Sequence, residues 1–200
     1  MQSKKGNGNA TLLLAHGAGA GMNSPFLEAL AKGISSKMIH VVRFNFPYME
    51  QMLKTGKRRP PNSRKILISA FEDAIGEING PLIIGGKSMG GRIATMVADS
   101  CRANGVICFG YPFHPPGKPQ KLRTAHLKTM KTPTLIIQGE RDPFGEPSEV
   151  STYDLSENIE LKWMTDGDHD LKPRKKSGVA HHENMNQAIV HAIEFITKQK

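Results

Sequence analysis

The chain has little cysteine, few aromatic residues and no long hydrophobic run. Only two of its 200 residues are cysteine, Cys101 and Cys108, which excludes a disulfide framework and suits a reducing compartment. No apolar stretch approaches the ~20 residues of a membrane helix. The apolar run at residues 11–15 is also too short for the core of a secretion signal. We therefore expect a cytoplasmic protein that is not bound to a membrane.

Basic residues are abundant and unevenly placed. The formal net charge is +9, and three segments without any acidic residue (54–65, 114–131 and 172–176) carry 15 of the 27 lysines and arginines. These segments have no interleaved aromatic residues and no known binding motif, which argues against a nucleic-acid partner. An anionic small molecule and simple solubility explain the charge equally well. The length suits one domain over residues 1–200.

Apolar strands alternate with amphipathic helices along the chain. Strands are predicted at 11–15, 39–46, 81–85, 105–110, 134–138 and 159–164, and helices after Ser24, after Asn62-Ser63, at 89–101 and at 183–197. This alternation predicts a three-layer α/β/α sandwich with a mostly parallel sheet of about six strands. Sites in such sheets form at the carboxyl ends of the strands. The basic segments follow the second, fourth and sixth strands, so we expect them to surround the site.

The stretch Gly86-Lys87-Ser88-Met89-Gly90 fits G-x-S-x-G between a predicted strand and a predicted helix. In this context the motif is a nucleophile elbow, which presents a serine on a sharp turn at the start of a helix. The similar P-loop pattern is excluded because its first glycine would fall at position 81, which is Pro81. Ser88 is therefore the candidate nucleophile.

A serine nucleophile needs a base and an acid that orients the base. Asp142 follows the fifth predicted strand and His169 follows the sixth, in the Ser–Asp–His chain order that elbow hydrolases use. Glu140 and the carboxylates near His169 remain alternative acids. A calcium loop is excluded by Leu171 and Ser177, and a metal cluster that includes His181 and His182 stays open. The candidate catalytic residues are Ser88, Asp142 and His169.

The glycine-rich loop at residues 16–21 follows the first predicted strand. A loop in this position supplies one backbone N–H of an oxyanion hole, and the residue after the nucleophile supplies the other. We expect these donors to be Ala18 and Met89, with His16 holding the loop by hydrogen bonds. Weaker candidates for substrate binding at the pocket wall are Tyr48, Arg92 and His114.

These motifs, together with residues 43–48, 85–92 and 110–116, resemble the α/β-hydrolase superfamily. The chain is similar to its small lidless branch, which includes dienelactone-hydrolase-like and testis-expressed hydrolase-like proteins. The resemblance covers nearly the whole chain and implies a triad of Ser88, Asp142 and His169 with no cap domain. Dienelactone hydrolases use a cysteine nucleophile where this chain has Ser88, so their substrate is not carried over.

The resulting expectation is a serine hydrolase that cleaves an acyl ester or a related bond through an acyl-enzyme. Neither a metal nor an organic cofactor is expected, and the partner is a small-molecule acyl substrate, with a small anion as a candidate. The alternative is a non-catalytic interaction module on the same fold. Labelling by a fluorophosphonate probe distinguishes the two. The sequence leaves open the bond type, the acyl chain and the oligomeric state.

Overall fold

The protein is described by a computed structural model that covers residues 10–199. Strands and helices alternate along nearly all of it. The strands are β1 (Ala10–Ala15), β2 (Ile39–Phe44), β3 (Leu82–Lys87), β4 (Gly105–Phe109), β5 (Thr134–Gly139) and β6 (Ile159–Met164). The helices are α1 (Pro25–Ile34), α2 (Pro47–Thr55), α3 (Arg64–Gly76), α4 (Met89–Cys101), α5 (Pro147–Val150) and α6 (His181–Lys198). Short 3₁₀ turns lie at Leu127–Thr129 and Lys175–Ser177.

The six strands form one parallel sheet in the order β2-β1-β3-β4-β5-β6. All carboxyl ends therefore lie along the same edge. β3 is central, and it pairs Gly86 with Ala15 of β1 and Lys87 with Phe109 of β4. The segments that follow β1, β3, β5 and β6 consequently meet at this edge, as the predicted fold class requires.

Helices cover both faces of the sheet because the strands carry apolar side chains on both sides. In β1, Leu12 and Leu14 pack towards α1 and α6. The alternate residues, Leu13 and Ala15, pack towards α3 and α4. All four are fully buried. Burying each leucine side chain contributes about 1.5–3 kcal/mol, so both faces stabilise the fold.

The helix starts differ in part from those predicted. Ser24 caps α1 as expected, with its Oγ accepting from the Leu27 N–H at 3.4 Å. Ser63 occupies the first cap position of α3, but its side chain makes no capping hydrogen bond. Asn62 instead accepts from the Tyr48 N–H at 2.8 Å and ties the start of α2 to that of α3. α6 begins at His181, two residues before the predicted start.

The two cysteines are free thiols, with Cys108 fully buried in β4 and Cys101 partly buried at the end of α4. Burial raises the pKa of the Cys108 thiol well above its usual value, so it stays protonated. Within residues 10–199, no helix is both long and apolar enough to cross a membrane.

Candidate active site

Ser88 lies on a tight turn between β3 and α4. Its backbone has φ 52° and ψ −115°, in the region that only a strongly constrained non-glycine residue adopts. A Cβ at Gly86 would lie 2.4 Å from the Ala15 carbonyl oxygen, and one at Gly90 would lie 2.5 Å from it. Both positions therefore require glycine, which allows α4 to approach the sheet closely. This geometry presents the Ser88 hydroxyl at the sheet edge.

His169 faces Ser88 from the segment between β6 and α6. Its Nε2 lies 2.9 Å from the Ser88 Oγ, which is within hydrogen-bond distance. The imidazole packs against the ring of Phe144, with 4.3 Å between the ring centroids. The side chain of His169 is 22% exposed, so the ring is supported on one side and open to the surface on the other.

Asp142 contacts the other nitrogen of this imidazole. Its Oδ2 lies 2.8 Å from His169 Nδ1 and also accepts from the Gln138 side-chain amide at 2.9 Å. Its Oδ1 accepts from the Phe144 N–H at 3.0 Å. The carboxylate is fully buried, and these three hydrogen bonds fix its orientation. The arrangement holds the proton on Nδ1 and leaves Nε2 free to accept one from Ser88.

The alternative carboxylates hold the His169 segment in place instead of binding its imidazole. Asp168 accepts from the N–H groups of Asp170 and Lys172 at 2.8 and 3.0 Å. Asp166 pairs with Arg141 and Arg174, and hydrogen bonds from Arg174 lower the pKa of Asp166 to about 2. Glu140 accepts from the Asp166 N–H at 2.8 Å. Each carboxylate thus already has partners other than the imidazole.

The loop after β1 is held by His16 and Tyr48. The buried His16 ring accepts from the Phe46 N–H at Nε2 (3.0 Å), so its Nδ1 carries the proton that it donates to the Gly17 carbonyl at 2.7 Å. Burial lowers the pKa of His16, which keeps the ring neutral in this role. The Tyr48 hydroxyl lies 3.0 Å from the Ala18 carbonyl oxygen. Burial raises the pKa of Tyr48 to about 12, so it remains a donor.

Lys87 contributes a contact to the site that the sequence analysis did not anticipate. Its side chain is only 9% exposed, and its Nζ donates to the main-chain carbonyl of His169 at 2.6 Å. The same nitrogen pairs with Asp170 at 3.2 Å and lies 5.3 Å from the centre of the Phe26 ring. Burial lowers the pKa of Lys87, and the Asp170 charge opposes this shift. The sequence signal that could have identified Lys87 is its position as the basic residue directly before Ser88.

A cleft of about 1100 Å³ opens beside Ser88 and His169. It runs between α1 and α6, and the loop at residues 17–20 forms one end. Most of its lining surface is apolar, and the apolar side chains are Ala18, Ala20, Pro25, Phe26, Ala29, Phe144, Met185 and Ile189. The lining residues of α1 extend from Pro25 to Gly33, which corresponds to about 12 Å along the helix axis. The cleft can therefore hold an extended group attached to a carbonyl at Ser88.

The two candidate oxyanion donors lie near Ser88, whereas the three weaker candidates for substrate binding lie elsewhere. Ala18 lines the cleft next to Ser88, and Met89 is the first residue of α4. Tyr48 is buried behind the loop. Arg92 lines a second cavity, and His114 is buried against Glu149 at 3.2 Å. Tyr48, Arg92 and His114 thus do not line the cleft, because their side chains point into the core or towards α3 and α5.

The charged residues of the cleft also differ from those expected. Its lysines are Lys32 and Lys87, and none of the three basic segments contributes to its lining. Arg174 of the third segment is instead paired with Asp166. His181 and His182 line the cleft, but within residues 10–199 no three histidine, cysteine or acidic side chains are grouped to hold a metal ion.

Comparison with known proteins gives a family for this fold and site. A family model described as an alpha/beta hydrolase domain matches residues 8–197, and the chain therefore belongs to the α/β-hydrolase superfamily. This confirms the family resemblance and, with the all-parallel sheet, the predicted fold class.

Solved structures with the same fold include hydrolases of several bacteria. An α/β serine hydrolase without a lid from Xanthomonas campestris is 18% identical, with a TM-score of 0.65 over 93% of this chain and 81% of that one. A dienelactone hydrolase from Anabaena variabilis is 20% identical, with a TM-score of 0.69 over 96% and 87%. The esterase domain of a Rhodothermus marinus protein is 14% identical, with a TM-score of 0.67 over 94% and 87%. At such identities the likeness establishes the fold.

Proposed function

We propose that this protein is a serine hydrolase that cleaves a carboxylic ester or thioester through an acyl-enzyme. The observation that carries the proposal is the continuous hydrogen-bonded chain from Ser88 to His169 to Asp142, with contacts of 2.9 and 2.8 Å. Three residues from three separate segments meet with the hydrogen bonding that proton transfer from a serine requires. The family assignment supports a hydrolase of this kind.

In the acylation half-reaction, Ser88 Oγ attacks the substrate carbonyl carbon as its proton passes to His169 Nε2. The carbonyl oxygen becomes an oxyanion, which the N–H groups of Ala18 and Met89 stabilise. Asp142 stabilises the imidazolium and keeps it oriented. When the tetrahedral intermediate collapses, the bond to the leaving group breaks, and His169 gives its proton to the departing alcohol or thiol.

In the deacylation half-reaction, water replaces the leaving group. His169 Nε2 accepts a proton from the water, whose oxygen attacks the Ser88 ester. Collapse of the second tetrahedral intermediate releases the carboxylic acid, and the proton on His169 returns to Ser88 Oγ. The 22% exposure of the His169 side chain leaves a path for this water.

The cleft between α1 and α6 supports an apolar acyl group as the part of the substrate next to Ser88. Phe26, Met185 and Ile189 offer apolar surface along it. The charge of Lys87 is already balanced by Asp170, and the basic segments lie elsewhere. We therefore propose that the acyl chain is medium in length and uncharged near the carbonyl. An anionic end of the acyl chain would pair with Lys32, which lines the far part of the cleft.

The decisive experiment compares Ser88→Ala with the wild type on p-nitrophenyl esters. Without the nucleophile, kcat should fall by roughly 10⁴–10⁶-fold while the circular dichroism spectrum is unchanged. A fluorophosphonate probe should label the wild type and not the variant. Ser100→Ala, which removes an exposed serine at the other end of α4, is the matched control and should behave as wild type. Equal labelling of the wild type and both variants would refute the proposal. Failure of the probe to label the wild type would also refute it.

A further inference from the structure

A second cavity, of about 490 Å³, lies on the opposite face of the sheet from the cleft. It is formed by α3, α4 and the segment that joins β4 to β5. Three arginines line it: Arg64 at the start of α3, Arg92 on α4, and Arg123 in the joining segment. Two of the three come from the acid-free basic segments 54–65 and 114–131. The chain thus brings positive charge from three separate places to one cavity.

The arginines of this cavity have no acidic partner within the described part of the chain. Among residues 10–199, neither an aspartate nor a glutamate forms an ion pair with Arg64, Arg92 or Arg123. Arg141 and Arg174, by contrast, both pair with Asp166. The Nε of Arg92 is buried without a hydrogen-bond partner, although buried polar groups are normally paired. This cavity therefore has unbalanced charge and unused hydrogen-bond donors.

The positive charges of the cavity shift the pKa values of two side chains that line it, Arg92 and His126. Burial lowers the pKa of Arg92, and the charges of Arg123 and Arg64 lower it further. Burial, together with the charges of Arg92 and Arg64, lowers the pKa of His126 to about 4. His126 is consequently neutral near pH 7, and its Nε2 lies 2.9 Å from the Thr95 hydroxyl. The positive charge of the cavity thus comes from the guanidinium groups alone.

We propose that this cavity binds the phosphate group of a small organic phosphate. A bound anion relieves the repulsion among the guanidinium groups and can accept hydrogen bonds from the N–H groups that face the cavity. The planar donor fork of arginine matches the paired oxygens of a carboxylate or a phosphate. Three guanidinium groups favour phosphate, because it carries more negative charge and more acceptor oxygens than a single carboxylate. The volume suits a small molecule.

The rest of the ligand contacts the apolar side of the same cavity. Ile68, Met96 and Leu122 line it beside the arginines, and Leu122 is 50% exposed. An exposed leucine next to a charged cavity provides an apolar surface for the organic part of the molecule. The site is separate from the cleft. Helix α4 connects it to Ser88, since the Arg92 N–H donates to the Ser88 carbonyl at 3.0 Å.

Calorimetric titration of the full-length protein with phenyl phosphate, and with inorganic phosphate in parallel, tests this proposal. Both should bind, and Arg92→Gln and Arg123→Gln should each weaken binding by about 10-fold or more, the usual effect of losing a charged hydrogen bond. Arg58→Gln is the matched control. It removes the same charge from an exposed position of the same basic segment as Arg64, and binding should be unchanged. Leu122→Ala should weaken phenyl phosphate but not inorganic phosphate.

Three outcomes would overturn the proposal. The first is that neither anion binds at millimolar concentration. The second is equal weakening in Arg58→Gln and Arg92→Gln, which would show diffuse charge attraction without a site. The third is tight binding of a single-stranded oligonucleotide that phenyl phosphate cannot displace, which would point to nucleic acid. Ser88→Ala should retain full binding, so the result is independent of the proposed hydrolysis. Arg123→Gln keeps the test valid if Arg92→Gln does not fold.

Discussion

Asp142 is the residue whose contacts most constrain the candidate site. Its two carboxylate oxygens are fully buried, and one of them contacts both His169 and Gln138. A buried carboxylate that accepts from an imidazole fixes the ring tautomer and stabilises the imidazolium that forms during catalysis. The other oxygen binds the Phe144 backbone, and the Phe144 ring packs on the imidazole. Asp142 thus orients His169 directly, through Nδ1, and indirectly, through the position of Phe144.

Asp142→Asn tests this role at nearly constant shape. We expect kcat to fall on the order of 10⁴-fold, because an amide presents a donor to Nδ1 and favours the wrong tautomer. Asp73→Asn, an exposed position on α3, is the control and should leave kcat unchanged. A variant Asp142→Asn with wild-type kcat would show that another carboxylate orients His169.

Lys87 acts on His169 through the backbone. Its Nζ holds the His169 carbonyl at 2.6 Å from a nearly buried position at the end of β3, directly before Ser88. The candidate nucleophile and the candidate base are therefore joined by a contact that avoids the imidazole itself. We assign Lys87 as a positioning residue.

Lys87→Met keeps much of the side-chain length but removes the donor. Loss of this hydrogen bond should lower kcat by about 10-fold with KM little changed, since the lost contact orients His169 and does not bind substrate. Asp170→Asn removes only the ion-pair partner and should have a smaller effect, since the bond from Lys87 to His169 remains. A rise in KM at constant kcat in Lys87→Met would indicate a substrate-binding lysine instead.

The cleft depends on how two helices pack, since α1 and α6 form its walls. At Gly33 the helices come so close that an added Cβ would lie 2.4 Å from the Ile189 Cδ1. Further along, towards Ser88, Ala29 and Met185 line the space that the helices leave open. The small side chain at position 29 therefore keeps the cleft accessible.

Ala29→Trp should fill the middle of the cleft and change the selectivity for acyl length. We expect kcat/KM for an octanoyl ester to fall by about 10-fold or more, because the longer chain loses buried apolar surface worth about 0.8 kcal/mol per methylene. The acetyl ester, which needs only the end near Ser88, is the internal control and should be hydrolysed normally. An equal loss for both esters would place the acyl group outside this cleft.

At the scale of the whole molecule, the distribution of charge couples stability to pH. Burial lowers the pKa of His16, and burial with two arginines lowers that of His126 to about 4. Both groups fold as neutral imidazoles, whereas in the unfolded chain they titrate near pH 6.5. The unfolded state therefore binds more protons as the pH falls below about 6.5, and this favours unfolding.

Urea unfolding should reveal this loss of stability. The contribution of the neutral histidines is fully present above about pH 7 and declines as the pH falls from about 6.5 towards 4. The urea midpoint should thus be lower at pH 5 than at pH 7.5, and His126→Gln should reduce that difference. His40→Gln, at an exposed position of β2, should leave the difference unchanged. An unchanged wild-type midpoint between the two pH values would contradict the argument.

Much of this architecture follows from local patterns. Three features depend on neighbours in the chain. They are the continuous apolar runs at β1 and β3, the Ser24-Pro25 start of α1, and the strand–turn–helix around Ser88. Helix α2 (Pro47–Thr55) was missed because it follows closely on a strand and has no capping side chain at its start, where the Tyr48 N–H binds the distant Asn62 instead. Strand β2 ends at Phe44, two residues before its predicted end, and the Phe46 N–H binds the ring of the distant His16.

The sequence by itself determined the fold class, the strand–turn–helix at Ser88 and the chain order of the candidate acid and base, because each depends on residue types at short spacing. Only the tertiary structure decided which carboxylate contacts His169, that Lys87 holds the His169 backbone, and that Arg92 faces a cavity away from the cleft. These depend on side-chain directions and on contacts between segments up to 82 residues apart. Such contacts are fixed when the sheet brings its strand ends together, and no local pattern encodes them.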